Sequence, residues 1–127
     1  MNELCDSGAR ELRRLIGAKQ LSPVELLGAC HQRIDAVNPA LNAIPHTCWE
    51  RAASEARAAE DQAMRGEPLG ALHGLPVVIK DTQFTEGVRS TLGSPIYADN
   101  IPTADERMVA VIRAAGAIVI GKSNVPE

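Results

Sequence analysis

A lysine that directly follows a short apolar run is the residue best placed to do chemistry in this sequence. The run, residues 75–79 (Leu-Pro-Val-Val-Ile), is rich in β-branched side chains and predicts a buried strand with Lys80 at its carboxyl end. Open α/β sheets place their sites at this edge. Burial there would favour the neutral amine, which can act as a base. Spacing alone, however, more often indicates a strand-end lysine that reaches solvent or pairs with Asp81.

A second pattern, residues 116–123, matches the phosphate-loop formula GxxxxGK[ST]. That function needs the four intervening residues in a loop whose N–H groups surround phosphate, followed by a helix. Here those residues are Ala-Ile-Val-Ile, an apolar run that predicts a strand, and the Asn-Val-Pro sequence after it does not favour a helix. We therefore place nucleotide binding last among the functions considered.

The histidines and cysteines form no metal-ligand pattern. The three histidines fall in a predicted helix, a loop and a turn, and no two have ligand spacing: His31, His46 and His73. The three cysteines are odd in number and lack metal spacing: Cys5, Cys30 and Cys48. We expect free, buried or half-buried thiols in a reducing cytoplasm, and no metal.

Charge and composition exclude several partners. A net charge of −3 argues against nucleic acid or an anionic membrane as partner. No apolar stretch reaches the roughly 20 residues of a membrane span, and the first residues do not resemble a secretory signal. Aromatic residues make up only 2% of the chain, so small aliphatic side chains must supply the core.

Three helices are predicted in the first half, here taken as an N-terminal helical segment over residues 1–65. The first covers about residues 7–18. The second begins at a capping box with proline at its first position, residues 22–25, and is predicted to end at Asn38-Pro39. The third runs from about Trp49 to Met64, and alanines on one face allow close packing: Ala52, Ala56, Ala59 and Ala63.

The second half, residues 66–127, predicts the first part of an α/β core. The strand before Lys80 leads into an irregular segment, residues 82–102, of a length that usually covers a site. A second capping box at 103–106 would open a helix that ends at Gly116, and a strand at 117–120 follows. Four side chains of that helix are expected to face inward: Met108, Val109, Val111 and Ile112. This order predicts an α/β fold with a mixed, largely parallel sheet and a right-handed crossover.

These motifs, taken in order, resemble one family. Residues 74–81 (Gly-Leu-Pro-Val-Val-Ile-Lys-Asp) are similar to the G-x-P-x-x-x-K-D segment of the amidase signature family. Other segments resemble that family in the same order over nearly the whole chain: 22–25, 33–38, 41–43, 91–94, 102–105 and 113–127. The final Asn-Val-Pro-Glu is more similar to general amidases than to the glutaminase subunit of glutamyl-tRNA amidotransferase, which tends to have Asp in place of that Pro.

The resemblance implies a Ser–cis-Ser–Lys triad that hydrolyses a small-molecule amide without metal or organic cofactor. Lys80 matches the family's lysine, and Asp81 is its supporting neighbour. In the family a Gly/Ser-rich segment bears the bridging serine and the nucleophilic serine follows it; this chain contains neither. Ser90, Ser94 and Ser123 lack the glycine-rich setting of the nucleophile. We therefore expect the isolated chain to be inactive, and to be stable only if complemented by the missing part, self-associated or repacked. A non-catalytic interaction or remnant module is the alternative function.

Overall fold

The structure, a computed structural model, describes residues 2–126, so Glu127 of the last motif lies outside the described residues. The first half contains four helices and one short strand: α1 (Asn2–Cys5), α2 (Ala9–Gly17), α3 (Pro23–Leu41), β1 (His46–Thr47) and α4 (Trp49–Met64). The second half contains β2 (Pro76–Lys80), a 3-10 turn (Pro95–Tyr97), α5 (Arg107–Ala114) and β3 (Ile118–Ser123). The predicted α/β class is confirmed.

The sheet has the order β1-β3-β2 and is mixed. β2 and β3 pair in parallel, as predicted, with a register shift between Val77 and Val78 that leaves Lys80 opposite Ser123. β1 pairs antiparallel with β3 and was not predicted, because two residues are too short to show a period. Gly121 makes that pairing possible, since a Cβ there would collide with the carbonyl oxygen of His46.

The alanine face of α4 packs on the sheet, as its composition predicts. Ala52 and Ala56 are fully buried, and they lie in one cluster with Ile118 and Ile120 of β3 and Leu27 of α3. Small side chains let the helix axis approach the strands closely, which compensates for the scarcity of aromatic residues. Within the described residues, no helix is long and apolar enough to cross a membrane.

The N-terminal helices depart from prediction in two places. A separate short helix, α1, precedes α2. α3 continues through Asn38-Pro39 to Leu41, so the predicted end is wrong. Pro39 lies in the last turn, where its missing N–H removes one i→i−4 hydrogen bond, and Asn42 then leaves the helix in a left-handed conformation (φ 48°). Asn38 stabilises this exit, because its side-chain amide donates to and accepts from the main chain of Ile44, both at 2.9 Å.

The two predicted capping boxes are also wrong in detail. The hydroxyl of Ser22 accepts from the N–H of Val24 (3.0 Å), one residue earlier than the box requires, and it donates to Glu60 of α4. α5 begins only at Arg107, with Glu106 as its N-cap residue, so Thr103 does not cap it. The Asp105 carboxylate, expected inside the first turn, instead accepts from the N–H of Glu86 (2.7 Å).

The face of α5 is correspondingly narrower than expected. Only Val109 is fully buried, with Ile112 half-buried, whereas Met108 and Val111 are 49% and 61% exposed. Gly116 does terminate the helix as predicted, with φ 99°; a Cβ at this position would lie 2.6 Å from the Cα of His73.

We predict that Ala56→Leu lowers the free energy of unfolding by about 1–3 kcal/mol, because three extra carbons must fit between α4 and β3. Ala58→Leu is the matched control on the exposed face of the same helix and should change stability little. Urea unfolding followed by circular dichroism measures both variants. Equal effects of the two substitutions would contradict the packing described.

Candidate active site

Lys80 ends β2 at the edge of the sheet. Its partner in the register is Ser123, the last residue of β3, so both side chains leave the sheet at the carboxyl ends of adjacent parallel strands. Lys80 is exposed, which agrees with the solvent-reaching alternative that its spacing more often indicates and not with a buried lysine. The physical reason is the strand order: β2 has a neighbour on one side only, and even Val78 in its middle is 38% exposed.

Asp81, the next residue, is buried (2% exposed) and joins three pieces of chain. Its N–H donates to the carbonyl of Ser123 (3.0 Å), and its own carbonyl accepts from the N–H of Leu92 (3.1 Å). The carboxylate accepts from the N–H of Thr91 (3.0 Å) and from the Thr91 hydroxyl. Asp81 therefore fixes the main chain directly after Lys80.

The cation closest to the Asp81 carboxylate is Lys122 of β3, whose Nζ lies 3.9 Å from Oδ1. Lys122 is 0% exposed. Its ammonium donates to the carbonyl of Gln83, to the hydroxyl of Thr85 (3.1 Å) and to that of Ser90 (3.0 Å). A buried ammonium with this complement of acceptors is satisfied, and it draws the segment after β2 onto the sheet.

Burial lowers the pKa of Lys122, while the negative charges of Asp81, Glu106 and Asp105 oppose that shift. The sequence reasoning considered Lys122 only as part of the phosphate-loop pattern and missed its role. A signal was present: Lys122 continues the apolar run of a buried strand, so its side chain must find partners inside the protein. Residues 118–123 of the phosphate-loop pattern form strand β3. They therefore do not form the loop of N–H groups that a phosphate site requires.

The pair formed by Lys122 and Ser90 is not accessible to a substrate. Ser90 is 0% exposed, and its hydroxyl donates to the carbonyl of Val88 (3.0 Å) while accepting from Lys122. Its main chain is held by Asn100 on both its N–H (2.9 Å) and its carbonyl (2.8 Å). We interpret this serine as structural, in agreement with its lack of a glycine-rich setting.

The irregular segment between β2 and α5 is thus ordered by polar contacts. From outside, Arg51 of α4 donates to the carbonyl of Glu86 (2.6 Å) and pairs with its carboxylate (3.0 Å). Gly87 and Glu106 donate to the carbonyls of Pro102 and Phe84. The segment lines a cleft of about 340 Å³ at the carboxyl end of the strands, together with residues that follow α3 and β3. The polar side chains of this cleft are Asn42, His46, Asp81, Arg89, Thr91, Ser94 and Asn124.

The other expected groups have structural partners. His73 is buried in a turn, with Nε2 2.9 Å from the carbonyl of Ala59, and His31 stacks on Trp49 at 3.8 Å. The three cysteines are free and half-buried, as predicted. Among residues 2–126, no group of three or more His, Cys, Asp or Glu side chains could hold a metal ion.

We predict that Lys122→Met lowers the free energy of unfolding by about 3–5 kcal/mol, because it leaves the buried Asp81 carboxylate without its cation. Lys80→Met is the matched control: the same substitution at an exposed position one strand away should cost less than about 0.5 kcal/mol. Both values come from urea unfolding at neutral pH. A Lys122→Met variant as stable as Lys80→Met would show that the buried cluster is not formed.

Several relatives match nearly the full chain, among them the following two. An acylamidase of Rhodococcus erythropolis is 40% identical over 119 residues, which cover 94% of this chain and 25% of that protein. A glutamyl-tRNA(Gln) amidotransferase subunit of Anaeromyxobacter dehalogenans is 41% identical over 125 residues, covering 98% and 25%. The two identities are nearly the same, so the predicted preference for general amidases stays a prediction. The chain spans about a quarter of the length of these relatives.

Solved structures agree with the sequence relatives. The peptide amidase of Stenotrophomonas maltophilia superposes with a TM-score of 0.88 at 29% identity, over 94% of this chain and 25% of that one. A protein of the vestigial complex that reveals the origins of an s-triazine catabolic enzyme superposes with a TM-score of 0.90 at 31% identity, over 95% and 27%.

The amidase family model matches residues 25–127, a range that includes β2, Lys80, the segment organised by Lys122 and β3. The order of motifs, the parallel strand pair and the relatives all agree with this match, and the chain belongs to the amidase signature family.

Proposed function

We propose that this chain is the lysine-bearing part of an amidase that hydrolyses a carboxylic amide to an acid and ammonia or an amine. The observation that carries the proposal is the position of Lys80. Lys80 is the last residue of β2 and lies opposite Ser123, the last residue of the parallel strand β3. The N–H of Asp81 donates to the carbonyl of Ser123 and so fixes the main chain directly after Lys80. A catalytic group needs such a fixed support, since displacement by about 1 Å can cost two orders of magnitude in rate.

In the proposed mechanism the amine of Lys80 accepts a proton from a bridging serine, which in turn deprotonates the serine that attacks the amide carbonyl. The attack gives an acyl-enzyme, and the same relay returns the proton to the leaving nitrogen. Water then attacks the acyl-enzyme and releases the acid. In the family the bridging serine belongs to a Gly/Ser-rich segment and the nucleophile follows it; neither is among the 127 residues of this chain.

A base must be able to lose its proton, and Lys80 is exposed in this chain. We infer that the amine is desolvated only when the remainder of an amidase domain, about three quarters of its length in the relatives, covers the free edge of β2. In that arrangement residues 1–65 form a helical support and residues 66–127 begin the catalytic core.

An interaction or remnant module is the second candidate. Residues of α1, α3 and β2 line an apolar cleft of about 480 Å³. Within the described residues, β2 is an edge strand that pairs only with β3. These features favour association with another polypeptide or a second copy. Size-exclusion chromatography with light scattering, followed by urea unfolding, examines this candidate. A monomer that unfolds cooperatively by itself would contradict it.

We predict that the isolated chain does not hydrolyse amides, because a base without its nucleophile loses the covalent route. The measurement is ammonia or amine release from a panel of simple aryl and alkyl amides. Turnover that disappears in Lys80→Met would overturn the prediction.

We predict that activity appears when this chain replaces the corresponding quarter of the Rhodococcus erythropolis acylamidase, to which it is 40% identical. In that chimera Lys80→Arg should reduce kcat by about 10³-fold or more, because a guanidinium remains charged and cannot act as a base. Lys19→Arg is the matched control on an exposed lysine distant in sequence from the strands. An active chimera that retains its kcat after Lys80→Arg would show that Lys80 is not the base.

A further inference from the structure

Two of the three cysteines lie together on neighbouring helices. Cys5 is the last residue of α1, and its thiol donates to the carbonyl of Ala29 in α3 at 3.5 Å. Cys30 is the next residue of α3, and both cysteines line the same cleft. The third cysteine, Cys48, lies elsewhere and donates to the carbonyl of Val119 in β3 (3.2 Å).

The surroundings hold this pair in place and leave it accessible. Directly after Cys5, Asp6 pairs with Arg33 of α3 at 3.3 Å, a second link between the end of α1 and the same helix. Both thiols are half-buried and line the apolar cleft of about 480 Å³ beneath α1, α3 and β2, and Arg33 also lines it. A disulfide reagent can therefore approach the thiols from the cleft.

We propose that Cys5 and Cys30 form a redox-active dithiol, a modification site at which a small-molecule disulfide converts the two thiols into an intramolecular disulfide. The bond would join α1 to α3 at the cleft that Pro76, Val77 and Val78 of β2 also line. The proposal does not depend on the amidase function.

The exchange proceeds in two balanced steps. The thiolate of one cysteine attacks oxidised glutathione, the S–S bond of glutathione breaks, and one reduced glutathione leaves with a mixed disulfide remaining on the protein. The second cysteine then attacks the protein sulfur of that mixed disulfide and releases a second reduced glutathione. Two protein thiols are oxidised, one glutathione disulfide is reduced, and the two thiol protons pass to the released glutathione or to solvent.

Burial affects the first step of this exchange at Cys30. It raises the pKa of Cys30 to about 11, with contributions from the neighbouring Cys5, while Arg33 acts in the opposite direction. A raised pKa lowers the fraction of thiolate and slows attack by Cys30 on the glutathione disulfide.

The experiment treats the 127-residue chain with oxidised glutathione at neutral pH, then maps the products by mass spectrometry after alkylation. The expected product has lost two hydrogens and one pair of alkylation sites, with Cys5 linked to Cys30 at least about tenfold over either pairing with Cys48. Cys48→Ser, the matched control, should give the same product. Cys30→Ser and Cys5→Ser should each stop at a mixed disulfide on the remaining thiol of the pair.

The same reaction in concentrated urea distinguishes folding from mere reactivity. Cys30 and Cys48 are 18 residues apart and Cys5 and Cys30 are 25 apart, so loop closure in an unfolded chain favours the Cys30–Cys48 bond. A change of the main product from Cys30–Cys48 in urea to Cys5–Cys30 in buffer supports the proposal. Stable mixed disulfides without ring closure, or the same main product in both conditions, would overturn it.

Discussion

The structure depends on one buried positive charge. The ammonium of Lys122 has no exposure, and the chain after β2 turns inward to meet it. The Gln83 carbonyl and the hydroxyls of Thr85 and Ser90 accept its hydrogen bonds, and the Asp81 carboxylate at 3.9 Å is its counter-ion. A desolvated ammonium is tolerated only with such partners. Residues 82–102 must therefore follow a path that brings Gln83, Thr85 and Ser90 to Lys122. A Gly-, Ser-, Thr- and Pro-rich segment without regular structure thereby acquires a single conformation.

The two lysines near the carboxyl ends of adjacent strands have different environments. Lys122 lies on the central strand β3, inside the sheet, and is saturated with hydrogen bonds, whereas Lys80 lies on the edge strand β2 and is exposed. Asp81 connects them, since its carboxylate faces Lys122 while its main chain continues from Lys80. The residue that holds the framework is thus distinct from the residue proposed to act on substrate, and a reactive amine needs that freedom from other partners.

Helices α3 and α4 of the first half pack on β3 and support the sheet. α4 approaches β3 through alanines, and Ser22 at the start of α3 reaches Glu60 on α4, so the two long helices share one layer over the sheet. With few aromatic residues, close approach replaces large side chains as the source of buried contact. Among residues 2–126, no further strand pairs with the outer edge of β2.

The sequence by itself determined the α/β class, the alanine face of α4, the parallel pairing of β2 with β3 and the family, because periodicity and ordered motifs are local along the chain. Only the tertiary structure decided which lysine is buried, that α5 begins as late as Arg107, and that β1 exists. Each of these depends on a partner distant in sequence: Asp81 and Ser90 for Lys122, Glu86 for Asp105, and Gly121 for the strand at His46. Local propensity contains no information about such partners, and burial is a property of the assembled sheet.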